Sequence, residues 1–95
     1  MDQQAFKTML ESEGFEVVIV EREANMGMDL HSHPFEAKAM IIEGEIRVVV
    51  DGKETHCRVG DTFHLSANVM HTETYGPNGV KYIAGRKAQL DHRKR

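Results

Sequence analysis

Phe6, Met9 and Leu10 recur at spacings of three and four, the repeat of a single helix face. Asp2 stands where an N-cap is wanted, and Gly14 where a left-handed residue stops a helix. The pattern therefore predicts a short helix over residues 2–13. Beyond Gly14 the period drops to two, and strands are predicted at 15–23, 29–33, 37–43, 46–50, 54–58, 62–65, 71–75 and 80–85. Turn signals separate them: residues 25–27, Glu43-Gly44-Glu45, Asp51-Gly52, Gly60-Asp61, a loop over 66–69, and Gly76-Pro77-Asn78-Gly79. Short strands at even spacing with no helix between them predict an antiparallel sandwich or jelly roll, not a parallel α/β sheet.

One strand carries a further message. Residues 37–42 are apolar on both faces, with Ala39 and Ile41 on one side and Met40 and Ile42 on the other. Such a strand is covered on both sides. The N-terminal helix or a second subunit is expected to supply the cover.

Composition narrows the classes. A chain of 95 residues, 40% of them hydrophobic, makes one domain. The expected division is a helix over 1–14, a barrel over 15–87 and a basic tail over 88–95. A net charge of −3 gives no electrostatic case for nucleic acid, and no helix-turn-helix pattern is present. Lys81, Arg86, Lys87, Arg93, Lys94 and Arg95 gather late in the chain and read as a solvated, fraying end. Cys57 is the single cysteine, so no internal disulfide forms. It reads as a small hydrophobe in a strand. With no apolar segment at the start, the expected location is the cytoplasm. No apolar run approaches the length of a membrane span.

The candidate chemistry lies in the histidines. His31 and His33 are two apart in a predicted strand, so their side chains share a face. His71 opens a much later strand, which an antiparallel roll can lay beside the first. Three neutral imidazoles suit Fe, Zn, Mn or Ni. Taken alone, a His-x-His pair is a weak signal. Its surroundings strengthen it.

The segment Asn25-Met-Gly-Met-Asp-Leu-His31-Ser-His33-Pro-Phe-Glu36-Ala37-Lys-Ala-Met-Ile-Ile-Glu43-Gly44 resembles the first motif of the cupins: a His-x-His pair, a short gap, an acidic residue, then a glycine. Gly60-Asp61-Thr-Phe-His-Leu-Ser66-Ala67-Asn68-Val-Met-His71 resembles the second, a Gly-Asp turn, a proline-x-glycine loop and a ligand histidine. The likeness runs over roughly residues 25 to 85. It implies an all-β cupin double-stranded β-helix, a jelly-roll barrel with a short N-terminal helix. It also implies a divalent transition metal on His31, His33 and His71, and a homodimer.

The chain departs from those motifs at named positions. The acidic ligand belongs at position 37, where this chain has Ala37. Glu36 is adjacent but out of register, and only a bulge after Pro34 would swing it inward. Ser66 and Asn68 replace the proline and glycine of the second motif. The glycine expected six residues before His31 is Asn25, with Gly27 displaced by two.

Three bare imidazoles leave a dication's charge uncompensated, which favours an anionic ligand. Ala37 and Ala39 add space beside it. Glu73 and Tyr75 follow His71 at steps of two and share its face. Barrel lining is their plain reading. Their functional alternatives are a partner or substitute ligand at the metal for Glu73, and a hydrogen-bond donor for Tyr75. These two are also the candidates for catalysis. His56, His64 and His92 read as surface or core histidines.

The favoured expectation is a small metal-binding cupin for a small anionic ligand, with no nucleic-acid or membrane partner. The alternatives are a three-histidine metalloenzyme, such as a dioxygenase or isomerase, and a metal-free small-molecule-sensing module.

Overall fold

The computed structural model describes residues 1–88. Helix α1 spans Gln3–Ser12, and the Asp2 side chain accepts a 2.7 Å hydrogen bond from the Ala5 backbone N–H. That contact satisfies one of the donors a helix start leaves unpaired. Gly14 follows at φ +85°, as expected of a helix stop. Phe6 and Leu10 are buried against Phe15, Met40 and Ile83. The helix approaches so closely that a Cβ on Gly85 would stand 2.6 Å from Leu10 Cδ2.

Among the described residues six strands follow: β1 (Glu16–Arg22), β2 (Gly27–His31), β3 (Phe35–Val50), β4 (Lys53–Arg58), β5 (Thr62–Leu65) and β6 (His71–Ala88). All pairings are antiparallel. The order β1-β6-β3-β4 forms the main path, with β2 also on β6 and β5 also on β3. Two long strands, β3 and β6, therefore carry the barrel.

The architecture is the expected antiparallel roll, but two expected turns do not reverse the chain. Gly44 lies inside the continuous β3 at φ +72°. Residues 76–79 lie inside β6, where the pairing jumps from Val80 opposite Gly44 to Tyr75 opposite Ile46. Glycine and proline there bend a strand and loop out residues instead of ending it. The bend needs glycine: a Cβ on Gly44 would collide with the Gly79 carbonyl. Asp51-Gly52, by contrast, is a true hairpin turn. Both residues have positive φ and Val50 pairs Lys53, as a two-residue type I′ turn requires.

The core forms in two bodies on opposite faces of the sheet. Inside the barrel lie Val20, Ala39, Ile41, Ile46, Val48, Cys57, Tyr75, Val80, Tyr82 and Ala84. Under the helix lie Phe6, Leu10, Phe15, Met40 and Ile83, with Ile42 beside them. The helix is thus the cover that the apolar back of residues 37–42 called for. Cys57 is buried, and burial followed by the nearby Asp61 raises its thiol above its ordinary range.

Lys81, Arg86 and Lys87 belong to β6 and not to a fraying end. Lys87 Nζ donates to the Glu13 carbonyl at 2.9 Å, and Arg86 lines the barrel cavity. The remainder of the expected tail, 89–95, with His92, lies outside the described residues. No helix among the described residues is long and apolar enough to cross a membrane.

Candidate metal centre

The barrel mouth gathers four polar side chains from distant parts of the chain. His31 ends β2 and pairs directly with His71, the first residue of β6. Their rings lie 4.2 Å apart. His33 lies two residues beyond the end of β2 rather than in the strand, yet its ring comes within 4.9 Å of His31 and 5.4 Å of His71. Glu73 shares the His71 face because strand side chains repeat every two residues. One ligand atom from each of these four residues falls within 4.8 Å of the others.

A loop holds His33 in place. Asn68 has φ +66° and donates its N–H to the His33 carbonyl at 2.7 Å. Asparagine is among the residues that tolerate this left-handed conformation. The glycine expected at this position is therefore replaced without loss of the turn.

The ring orientations define what the cluster presents. His31 Nδ1 donates to the Asp29 carbonyl at 2.6 Å, and His71 Nδ1 to the Val69 carbonyl at 3.0 Å. Rings held this way turn both Nε2 atoms inward. Between them lies Glu73 Oε2, 3.1 Å from His71 Nε2 and 3.3 Å from His31 Nε2. The second contact has ion-pair distance without hydrogen-bond alignment, and His31 Nε2 is buried with no hydrogen-bond partner among the described residues. His71 and Glu73 are only 1% and 7% exposed, so water does little to relieve the pairing. Such closely set donor atoms, a carboxylate oxygen among them, are relieved by a positive charge, supplied by a proton or by a metal ion. Imidazole nitrogens with one carboxylate oxygen are a donor set suited to a divalent transition metal, and the residues fit such an ion.

Neighbouring groups tune the cluster. Burial first, then Coulomb coupling to the neighbouring His31 and His71, pushes the His33 pKa below its ordinary value, which favours a ring with a free lone pair. Tyr75 Oη donates to Glu73 Oε1 at 3.1 Å. Burial first, then Glu73, pushes the phenol up to about 12. Tyr75 is thus a fixed donor at neutral pH and not a base. One Glu73 oxygen is occupied by the phenol, and the other is left for the histidines.

Several sequence candidates find other places. Ala37 lines the cavity. Glu36 does not turn inward: its Oε2 lies 2.6 Å from His64 Nε2 on the exposed side, as the period of two dictates for a neighbour of Ala37. His56 pairs with Glu45 at 2.7 Å, away from the cluster. Phe63 packs edge-on to Tyr82 in the barrel, ring centroids 5.6 Å apart.

Behind the cluster is a cavity of about 70 Å³ whose lining includes Ala37, Ala39, Phe63, Tyr82, Arg22 and Arg86. Sequence reasoning missed both arginines. Arg22 had a readable signal, since it continues the Val18, Val20 face of its strand at the same step of two. Arg86 had none: its place depends on β6 pairing with β3, which brings it opposite Ala37.

Residues 17–74 match the family model described as the cupin domain. Among curated proteins, no sequence matches the chain significantly. The solved structure of KdgF from Halomonas sp. is similar at a TM-score of 0.69 and 18% identity, over 81% of this chain and 71% of that one. An RmlC-like cupin from Shewanella frigidimarina NCIMB 400 gives 0.68 and 23%, over 81% and 68%. The DMSP lyase DddQ from Ruegeria pomeroyi DSS-3 gives 0.71 and 18%, over 81% of this chain and 40% of that one. At these identities the likeness is one of fold. Together with a domain match over more than half the residues and a barrel of the expected topology, it places the chain in the cupin family.

Proposed function

We propose that this cupin holds a divalent transition metal through His31, His33 and His71, with Glu73 as a fourth protein ligand, and takes a small anionic ligand beside it. The observation that carries the reading is the convergence of four ligand atoms within 4.8 Å. The buried, unpartnered His31 Nε2 supports it. Glu73 occupies the role that three bare histidines would leave open. Four protein ligands fill a tetrahedral ion, whereas an octahedral ion such as iron, manganese or nickel keeps two positions free. When bound, such an ion supplies Lewis acidity to whatever fills those positions.

Two arginines against one glutamate in the cavity lining leave an excess of positive charge, and a dication increases it. That field favours an anion. Side-chain acid–base chemistry has less support. Glu73 is committed to the cluster, Tyr75 retains its proton, and Glu36 faces outward. The proposal is therefore binding, with any turnover resting on the metal, as in the dioxygenase or isomerase reading. A cytoplasmic location belongs to the same proposal and fits a single buried thiol. Homodimerisation is a separate proposal, tested by light scattering in solution. It needs a face other than the back of residues 37–42, which the helix covers.

Elemental analysis of untagged protein, purified without chelator or nickel resin, tests the reading. About one transition metal per chain, lost in His71→Ala, supports it. No metal after incubation with iron, zinc, manganese and nickel rejects it in favour of a metal-free binding module.

A further inference from the structure

Ala37 and Arg86 face each other across the β3–β6 ladder. Both line the cavity that His33, His71 and Glu73 also border. Directly opposed residues on antiparallel strands project to the same side, with Cβ atoms about 5 Å apart. A methyl group therefore stands where a long side chain would meet the guanidinium. Arg86 has no carboxylate within ion-pair distance among the described residues.

The guanidinium is nevertheless held. Its Cζ lies 5.3 Å from the Phe35 ring centroid, and that ring stacks on His33 at 4.8 Å with 14° between planes. Arg86 is only partly exposed. The stack fixes one face of the planar group while leaving its N–H edge for a partner. Arg22, the other cation of the lining, is more exposed and donates to the Glu21 carbonyl at 3.1 Å.

Resting on the metal reading above, we infer that the cavity is a site for a small carboxylate, with its carboxyl group on Arg86 and its stem toward the His/Glu cluster. The planar fork of arginine matches a carboxylate with two parallel hydrogen bonds. The remaining wall near it is apolar, formed by Ala37, Ala39, Phe63 and Leu65, which suits a short carbon stem better than a tetrahedral oxyanion. At about 70 Å³ the space admits a molecule of few heavy atoms. Ala37 acts as a specificity position by leaving that space empty, and Arg86 as the anion-binding residue.

The test uses the full chain loaded with cobalt(II). Elemental analysis measures metal content, and calorimetry with the cobalt visible spectrum follows anion binding. Lactate is expected to saturate at one per chain. Its neutral analogue lactamide, and inorganic phosphate, are expected to bind at least about tenfold more weakly. Arg86→Gln is expected to keep its cobalt and lose at least about tenfold in lactate affinity, with Arg86→Lys in between because it retains charge without the fork. Ala37→Glu sets a carboxylate opposite Arg86 and is expected to abolish lactate binding while cobalt remains. This second variant decides the matter if Arg86→Gln folds poorly. Unchanged lactate affinity in both Arg86→Gln and Ala37→Glu overturns the inference and leaves the metal reading intact. So does phosphate or lactamide binding as tightly as lactate. A parent protein that takes up no cobalt overturns the metal reading and this inference with it.

Discussion

Adjacent rungs of the β3–β6 ladder set Met40 opposite Ile83 and Ala39 opposite Ala84. The first pair faces α1 and is packed solid by Phe6, Leu10 and Phe15. The second faces the barrel interior, where methyl groups fill less than the available space and a cavity remains beside the histidines. Both faces are apolar by pattern. They differ in side-chain volume, and volume decides whether a face closes into core or opens into a site. The helix side is built for stability, while the interior side gives up packing for room.

The comparison can be broken from either side. His71→Ala is expected to have the largest effect, lowering metal affinity by more than the roughly 10–100-fold that losing an outer partner costs. Metal titration checks it, and circular dichroism should still report a folded barrel. Leu10→Ala, on the other face, is expected to cost about 2–5 kcal/mol of stability in denaturant unfolding, with metal content unchanged. Loss of metal in that variant would show that the two faces are not independent.

Glu73→Gln sharpens the contrast within the site. Metal affinity is expected to fall about 10–100-fold. Yet the metal-free protein, at a pH well above the ordinary histidine range, is expected to melt higher than the parent. An amide N–H can donate to an imidazole nitrogen that carries no proton, which a carboxylate cannot do. A lower melting temperature would mean that Glu73 stabilises the metal-free barrel. Tyr75→Phe removes the donor to Glu73 Oε1 and is expected to cost about 0.5–1.5 kcal/mol in unfolding, with a smaller loss of metal affinity. Asn68→Gly is expected to change stability by only a few tenths of a kcal/mol, since glycine adopts the same positive φ and keeps the N–H that holds His33.

Much of this was legible before any coordinates. The helix, its Asp2 cap and the Asp51-Gly52 hairpin are written in neighbouring residues, and the histidine spacings pointed to a metal site. The expected breaks at Gly44 and at residues 76–79 were not breaks. Glycine and proline report that a chain bends, but not whether it then reverses. Glu73 was readable as a face-mate of His71, whereas its place between two imidazoles depends on His31 lying across from His71. By sequence alone Arg86 reads with a solvated tail, because nothing local distinguishes the last rungs of a strand from the residues beyond it.

The sequence by itself therefore determined which residues are helical, which strand is apolar on both faces, and that Glu73 and Tyr75 share the His71 face. Those properties follow from periods of 3.6 and 2 acting over a few residues. Only the tertiary structure decided that α1 covers Met40, that Glu73 lies among the three histidines, and that Arg86 stands opposite Ala37. Each of these depends on the register between segments far apart in the chain. A one-residue slip in that register would turn every side chain to the other face, and only the packing of the whole barrel selects it.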